Sequence, residues 1–334
     1  MQNKDSGNKT KRRAAKAAKE EGSLVKQWFH DHPSPLVHGA AIGYLPEQES
    51  SQFLIFVDPS AADCEREAIE ATAPKQPHQL LRASRFVGLQ VGTGTSINPN
   101  DPSRFNYAPM STGTLGAAVT IGRKQYILSS NHVLAHNGRV PQDTVVVSPG
   151  PLDELGGGLV VAKRSHFVEL KAPGWPVQAA PPNLVDCALA EVIGSSLTAA
   201  QPLDVFPPLP PGSTPPPIPI TKTGRTTGTT QSRVSIFHWY GYIDFPFGIY
   251  YFEEMMGTYD QHRIFAAPGD SGSLAVDLQG IGVGLLTARG YVFDLNDQFE
   301  SYIILICALD SVRNELAKIR GFGVKDPKNI KFSK

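Results

Sequence analysis

The chain lacks the features that mark membrane, nucleic-acid-binding and disulfide-rich secreted proteins. No stretch approaches the roughly 18 consecutive apolar residues that a membrane helix requires. Its 31 Lys and Arg are balanced by 31 Asp and Glu, so no basic excess indicates a nucleic-acid partner. The three cysteines are odd in number and far apart, which argues against a disulfide framework. The first residues are basic and lack the apolar core of a signal peptide. These absences predict a cytoplasmic protein with neither membrane nor nucleic acid as a partner.

Long helical periodicity is also scarce, whereas turn-forming residues are abundant. The 31 glycines and 28 prolines separate many short runs rich in Val, Ile, Leu, Thr and Tyr. This spacing is typical of an antiparallel sandwich or barrel and not of an alternating α/β sheet. The length of 334 residues predicts about two domains. We therefore predict a mainly β fold.

Composition divides the chain into segments. Residues 1–22 form a basic arm that we expect to be disordered, with a partner contact as the alternative. Residues 23–85 combine strand-like runs with one helical run, which predicts a small α/β unit. Two β-rich parts follow, residues 86–201 and 220–323, and the second ends in a helix. Between them, residues 202–219 contain nine prolines, which favours an extended linker. Residues 324–334 are interpreted as a basic tail.

One short motif has the composition of an exposed nucleophile. Ser271 lies in the sequence Gly-Asp-Ser-Gly-Ser, between Gly269 and Gly272. Glycines let the backbone bend tightly and approach a substrate, and they leave N–H groups that can bind an oxyanion. A plain turn between two strands is the alternative explanation of this motif.

Two further residues complete a possible nucleophilic site. His132 follows the strand-like run Tyr-Ile-Leu-Ser-Ser-Asn, where a general base would lie at the edge of a sheet. Asp186 stands inside the apolar run Leu-Val-Asp-Cys-Ala-Leu-Ala, and a buried carboxylate requires a partner. A structural Asp satisfied by backbone amides is the alternative. His136, Asp143 and Asp153 are weaker candidates for these roles.

The order of these residues adds information. His132, Asp186 and Ser271 follow one another in the order of the chymotrypsin-type triad, whereas subtilisin and the α/β-hydrolases use other orders. The proline-rich segment lies between Asp186 and Ser271, so one β-rich part supplies the base and the carboxylate and the other supplies the nucleophile.

With these residues in place, the sequence resembles the chymotrypsin/trypsin-like serine proteases. It is most similar to a cytoplasmic branch that contains bacterial trypsin-like peptidases and plant proteases of the narrow-leaf type. The matching stretches, within residues 111–288, are TGTLGAAV, YILSSNHVLA, VDCALAEV, KTGRTTGTTQSRV, PGDSGSLAVD and GIGVGLLTA. The resemblance implies two six-stranded-type antiparallel β-barrels, residues 86–201 and 220–323, with the small α/β extension and a C-terminal helix.

The resemblance also implies an activity, a serine endopeptidase with neither cofactor nor metal. His132 would be the base, Asp186 its orienting carboxylate, Ser271 the nucleophile, and the Gly269 and Ser271 amides the oxyanion hole. A protein or peptide substrate is the implied partner, and the plant relatives suggest self-assembly. The alternative function is a catalytically silent or partner-activated scaffold on the same fold.

Two features depart from the secreted trypsins. No zymogen-type start is expected, so Asp270, which pairs with the new N-terminus in trypsins, needs another partner. The implied substrate pocket contains Phe265, Thr287 and Ala288 and offers no acidic group at its base. We therefore expect small or apolar side chains before the cleaved bond.

Overall fold

The computed structural model describes the chain from residue 22 onwards with several gaps. The described residues are 22–46, 48–88, 96–99, 112–150, 153, 158–171, 181–194, 201–210, 214–261, 264–294, 296, 298–320 and 322–334. The predicted basic arm lies outside them, apart from its last residue. Among the described residues, no helix is long and apolar enough to cross a membrane.

Two sheets contain nearly all of the regular structure. The nine-stranded sheet has the order β12-β19-β7-β8-β11-β10-β9-β5-β6. Its strands are β5 (Ser96–Pro99), β6 (Gly113–Thr114), β7 (Ala117–Ile121), β8 (Lys124–Ser129), β9 (Val145–Ser148), β10 (Leu159–Phe167), β11 (Ala188–Val192), β12 (Pro202–Leu203) and β19 (Ile330–Ser333).

The ten-stranded sheet has the order β1-β2-β3-β17-β16-β13-β14-β15-β18, with β4 paired to β14 and β17. Its strands are β1 (Val37–Gly43), β2 (Gln52–Val57), β3 (His78–Ala83), β4 (Phe86–Gly88), β13 (Ile218–Gly224), β14 (Gly228–Phe245), β15 (Gly248–Gln261), β16 (Leu274–Asp277), β17 (Gly282–Phe293) and β18 (Phe299–Ala308). The helices are α1 (residues 22–31), α2 (Asp63–Glu70), α3 (Asn131–Leu134) and α4 (Leu309–Ala317), with a 3₁₀ turn at Pro327–Asn329.

Strand pairing in the second half of the chain returns on itself. Strand β17 pairs with β16 and also with β18, so β13 to β18 form a closed circuit of six hydrogen-bonded neighbours. The long strands β14 and β15 form a hairpin whose tip carries Phe245 and Phe247. The prediction of a mainly β fold with an N-terminal extension and a C-terminal helix is thereby confirmed. Closure of the two predicted barrels stays a prediction.

The N-terminal α/β segment is continuous with the ten-stranded sheet. Its strand β1 pairs antiparallel with β14, and β2 and β3 continue the sheet as far as β17. Helix α1 buries Val25, Trp28 and Phe29 against this extension, and the Trp28 indole meets the Phe53 ring edge-on with centroids 5.4 Å apart. The predicted strands and helix of residues 23–85 are present, but they share a sheet with the second half.

The last residues differ from the predicted basic tail. Strand β19 inserts between β7 and β12 of the nine-stranded sheet. Ile330 and Phe332 are buried while Lys331 is exposed, which is the two-residue period of a half-buried strand. Four alternating residues were too short a pattern to recognise beside the neighbouring lysines. The chain thus crosses from the second sheet back to the first.

The proline-rich segment connects the two sheets, and its described residues, 202–210 and 214–219, contain little regular structure. It has short strand contacts at both ends: β12 begins at Pro202, and Pro219 lies inside β13 opposite Arg233. The prediction that this proline density excludes a central strand is wrong at Pro219, because β13 lies between β14 and β16.

Candidate active site

The three residues of the predicted triad converge between the two sheets. His132 lies on the short helix α3, directly after β8 of the nine-stranded sheet. Asp186 lies two residues before β11, the neighbour of β8. Ser271 lies on the turn that precedes β16 of the ten-stranded sheet. The first sheet therefore supplies the imidazole and the carboxylate, and the second sheet supplies the hydroxyl.

A continuous series of hydrogen bonds joins these side chains. The Asp186 carboxylate bonds to His132 Nδ1 through Oδ2, and its Oδ1 accepts the backbone N–H of His132 at 3.0 Å. On the other side of the ring, His132 Nε2 is 2.7 Å from Ser271 Oγ. Because the carboxylate holds both the ring and the backbone of His132, the imidazole is fixed in the orientation that a general base requires.

The turn that carries Ser271 is sharply bent and firmly held. Gly269 and Gly272 have φ values of +101° and +83°, a region that favours glycine. The Ser271 carbonyl accepts the Thr114 N–H at 2.9 Å, and the Gly272 N–H donates to Leu286 O at 2.9 Å. Within the described part of the chain, the N–H of Gly269 donates no hydrogen bond, so it can serve as an oxyanion donor.

Thr114 is a positioning residue that sequence reasoning did not identify. Its hydroxyl donates to Gly269 O at 2.8 Å and accepts the Arg225 N–H at 3.0 Å. Together with its backbone hydrogen bond to Ser271, these contacts join the two sheets beside Ser271. A threonine within a short Thr-Gly-Thr run gives no signal of such a role.

Asp270 pairs with a lysine of the same sheet and not with a chain terminus. Its carboxylate forms a buried ion pair with Lys222 Nζ at 3.2 Å, and both side chains are fully buried. It also accepts the Thr226 N–H at 2.7 Å, the Thr227 hydroxyl at 2.7 Å and the Ala267 N–H at 3.0 Å. The residue next to Ser271 is therefore held by groups that are present without any chain cleavage.

Lys222 supplies the positive charge of this ion pair. Burial lowers the pKa of its ammonium group, and the attraction of Asp270 acts in the opposite direction. Lys222 also bonds to the Thr227 hydroxyl and donates to Gly228 O at 3.0 Å. A fully buried lysine in a strand of mixed polarity looks like any surface lysine in the sequence, so its role was missed.

The side chains of Ser271 and His132 are enclosed. Ser271 and His132 have no exposed surface. Part of the enclosure is the tip of the β14–β15 hairpin, where the Phe245 ring packs 5.1 Å from the His132 ring. Phe247 stacks on Phe245 at 5.4 Å, and Arg139 lies over Phe247 at 5.7 Å. A row of aromatic rings thus leads from the imidazole towards the surface.

The residues predicted to line a substrate pocket are also buried. Phe265 is 1% exposed and packs in a core cluster with Ile220, Phe237 and Leu286. Thr287 lies 3.1 Å from Cys307 Sγ through its hydroxyl, and Ala288 is fully buried in the main core. Their assignment to a substrate pocket stays a prediction.

The weaker sequence candidates lie elsewhere. His136 follows α3 and stacks near Phe247, with ring centroids 6.4 Å apart. Asp143 is exposed, and Asp153 forms a bidentate ion pair with Arg225. In the part of the chain that the structure describes, no group of three or more His, Cys, Asp or Glu side chains is placed to hold a metal ion.

Two thiols lie close to the triad. Burial raises the pKa of Cys307 to about 12 and also raises that of Cys187. Because the thiolate is the reactive form, neither sulfur competes with Ser271 as a nucleophile near neutral pH.

Gly272 offers a direct test of the tight packing around the nucleophile. A Cβ at this position would lie 2.1 Å from Ser129 Oγ and 2.7 Å from Thr114 O. We expect Gly272→Ala to lower the free energy of unfolding, measured with urea, by more than the cost of a left-handed alanine, which is about 1–2 kcal/mol. Gly280→Ala is the matched control, because Gly280 has a φ of +82° and nothing within 4 Å of its Cβ position. Equal losses for the two variants would show that the packing of Gly272 is not critical.

Comparison with known proteins gives only remote similarities. No protein-family model matches the chain, and no curated protein matches it. Among solved structures, it is similar to "Alpha-lytic protease homolog N4", with 15% identity, a TM-score of 0.36 and coverage of 68% of this chain and 96% of that one. The MamO protease domain from Magnetospirillum magneticum, in its apo form, shows 11% identity, a TM-score of 0.32 and coverage of 66% and 94%. A Glu endopeptidase in complex with MPD shows 12% identity, a TM-score of 0.26 and coverage of 68% and 96%.

Proposed function

We propose that this protein is an intracellular serine endopeptidase of the trypsin-like class. The supporting observation is the hydrogen-bonded series that runs from the Asp186 carboxylate through the His132 imidazole to Ser271 Oγ. This is the arrangement in which a hydroxyl becomes a nucleophile, because the base lies within reach of its proton and is itself oriented.

The proposed mechanism follows from these contacts. Ser271 Oγ attacks the peptide carbonyl carbon while His132 Nε2 takes the hydroxyl proton, and Asp186 stabilises the resulting imidazolium. The Gly269 and Ser271 amides bind the oxyanion of the tetrahedral intermediate. The intermediate collapses as His132 returns the proton to the leaving amine, which leaves an acyl group on Ser271. Water activated by His132 then hydrolyses this ester.

A second candidate function is a catalytically silent or partner-activated protease-like scaffold or binding module. The observation that favours it is the complete burial of Ser271 and His132, together with the packing of the Phe245 ring against the imidazole. A polypeptide substrate reaches Ser271 Oγ only after this enclosure opens. Both candidates use the same triad geometry, and they differ in whether the opening occurs in the isolated protein.

Labelling with a fluorophosphonate probe separates these candidates. We expect the wild-type protein to be labelled at one site, and Ser271→Ala and His132→Ala to lose labelling entirely. The fold of each variant is checked by circular dichroism and thermal unfolding. A folded wild-type protein that resists the probe would contradict constitutive activity and favour the scaffold. Labelling that survives in Ser271→Ala would contradict the assignment of the nucleophile.

A further inference from the structure

A cleft outside the candidate active site lies at a junction in the ten-stranded sheet. Strands β1 and β13 pair with the same edge of β14, β1 along residues 236–241 and β13 along residues 228–234. Ser235 lies between these two paired stretches, and its carbonyl accepts the N–H of Tyr44 at 2.8 Å. The cleft opens at this junction with a volume of about 650 Å³, and none of the proposed catalytic residues lines it.

Hydrogen-bonding groups at the cleft lack partners. Ser235 is only 8% exposed, and its Oγ has no hydrogen-bond partner. Gln48 Oε1 is likewise buried without a partner, and both residues line the cleft. Buried polar atoms are paired in nearly all native structures, so two unpaired oxygens on residues that line one cleft favour a ligand that supplies the missing donors.

A carboxylate without a bound cation lies beside these atoms. Asp260 accepts hydrogen bonds from the Ser232 hydroxyl and, at 2.6 Å, from the Thr258 hydroxyl. Among the described residues, no Lys, Arg or His nitrogen lies within 4.0 Å of its oxygens. Burial raises the pKa of this carboxyl group, whereas the hydrogen bonds from Ser232 and Thr258 and the charge of Arg233 at the rim lower it. The carboxylate is therefore desolvated with its charge only partly compensated.

The walls complete the chemical character of the cleft. Tyr44 is partly buried and lines the cleft. Pro217 and Pro219 contribute apolar rings. Acceptors, aromatic faces and apolar rings together suit a planar cation on an aliphatic stem.

We propose that this cleft binds the side chain of an arginine or lysine in a peptide segment, with its cation on Asp260. The Gln48 and Ser235 oxygens accept further N–H donors, and the proline and tyrosine rings contact the aliphatic stem. Two sources supply this chemistry: the seven Lys and Arg of residues 1–22 of this chain, and a separate basic peptide.

The test uses the full chain carrying Ser271→Ala, so that binding is measured without hydrolysis. The probes are N-acetyl-arginine amide and its neutral isostere N-acetyl-citrulline amide, titrated by calorimetry or NMR. We expect saturable binding of the arginine probe and binding at least about tenfold weaker for the citrulline probe, as for a charge-assisted hydrogen bond. Equal binding of the two probes would overturn the proposal.

Two variants change the affinity in opposite directions. Asp260→Asn keeps the shape of the side chain and is expected to weaken binding of the arginine probe at least about tenfold. Arg233→Gln removes a competing cation from the exposed rim and is expected to tighten binding. Asp31→Asn is the control, since Asp31 is exposed on α1 and does not line the cleft. Unchanged affinity in both Asp260→Asn and Arg233→Gln would overturn the proposal.

One further variant identifies the source of the cation. Replacement of all seven Lys and Arg of residues 1–22 by Gln in the full chain tightens binding of the probe if the basic arm competes for the cleft. Affinity that stays the same assigns the cleft to a separate peptide. Fluorophosphonate labelling of the chain with Ser271 intact is independent of all these outcomes, so the binding proposal and the proposed activity fail or stand separately.

Discussion

Asp186→Asn is expected to reduce the rate of fluorophosphonate labelling, and of peptide hydrolysis, by about 10⁴-fold. The amide has the shape of the carboxylate and can still occupy its fully buried site. Its NH₂ group, however, donates to His132 Nδ1, where the carboxylate accepts. The ring then carries its proton on Nε2, facing Ser271 Oγ, and can no longer remove the hydroxyl proton.

Asp143→Asn provides the matched control for this experiment. It makes the same chemical change at an exposed aspartate that was a weaker candidate for the same role. We expect labelling at the wild-type rate and an unchanged thermal midpoint. If Asp186→Asn also labels at the wild-type rate while remaining folded, the carboxylate has no part in the chemistry.

Lys222→Met is expected to lower the free energy of unfolding by about 3–5 kcal/mol, since it leaves the Asp270 carboxylate buried without its cation. It should also slow labelling of Ser271, because Asp270 precedes the nucleophile and holds the Thr226 and Ala267 amides around it. Urea unfolding measures the first effect, and the second is measured on protein that remains folded.

The double variant Lys222→Met with Asp270→Asn distinguishes a charge effect from a packing effect. With no uncompensated carboxylate left, the double variant is expected to be more stable than Lys222→Met alone. Lys124→Met is the surface control, because Lys124 pairs with Glu191 where both side chains are exposed. A double variant no more stable than Lys222→Met would show that the lysine acts through its packing.

Residues of the candidate site could be predicted from the sequence where a residue type is unusual for its immediate neighbours. Ser271 lies between glycines that a sharp turn requires, and Asp186 is a charge within an apolar run. The structure brings both side chains within hydrogen-bond distance of His132. Thr114 and Lys222 were missed because each acts through a contact with a residue far away in the chain. The composition of the neighbouring sequence does not indicate such contacts.

The same division applies to the fold. The helix α4 and strands β1 and β2 follow from periodicity, which depends on near neighbours. That β1 pairs with β14 and β19 with β7 depends on which edges are left unpaired after the other strands have formed. The enclosure of His132 by the β14–β15 hairpin has the same origin, since it is set by the length and course of two long strands.

The position of β19 has a consequence for biosynthesis. Strand β7 leaves the ribosome about two hundred residues before β19, yet the two are hydrogen-bonded neighbours. The edge of β7 that pairs with β19 therefore stays without this partner while most of the chain is translated. Exposed strand edges of this kind promote association between nascent chains. The nine-stranded sheet consequently acquires its final edge only after residues 330–333 have been made, and chaperone protection of β7 is most useful before that moment.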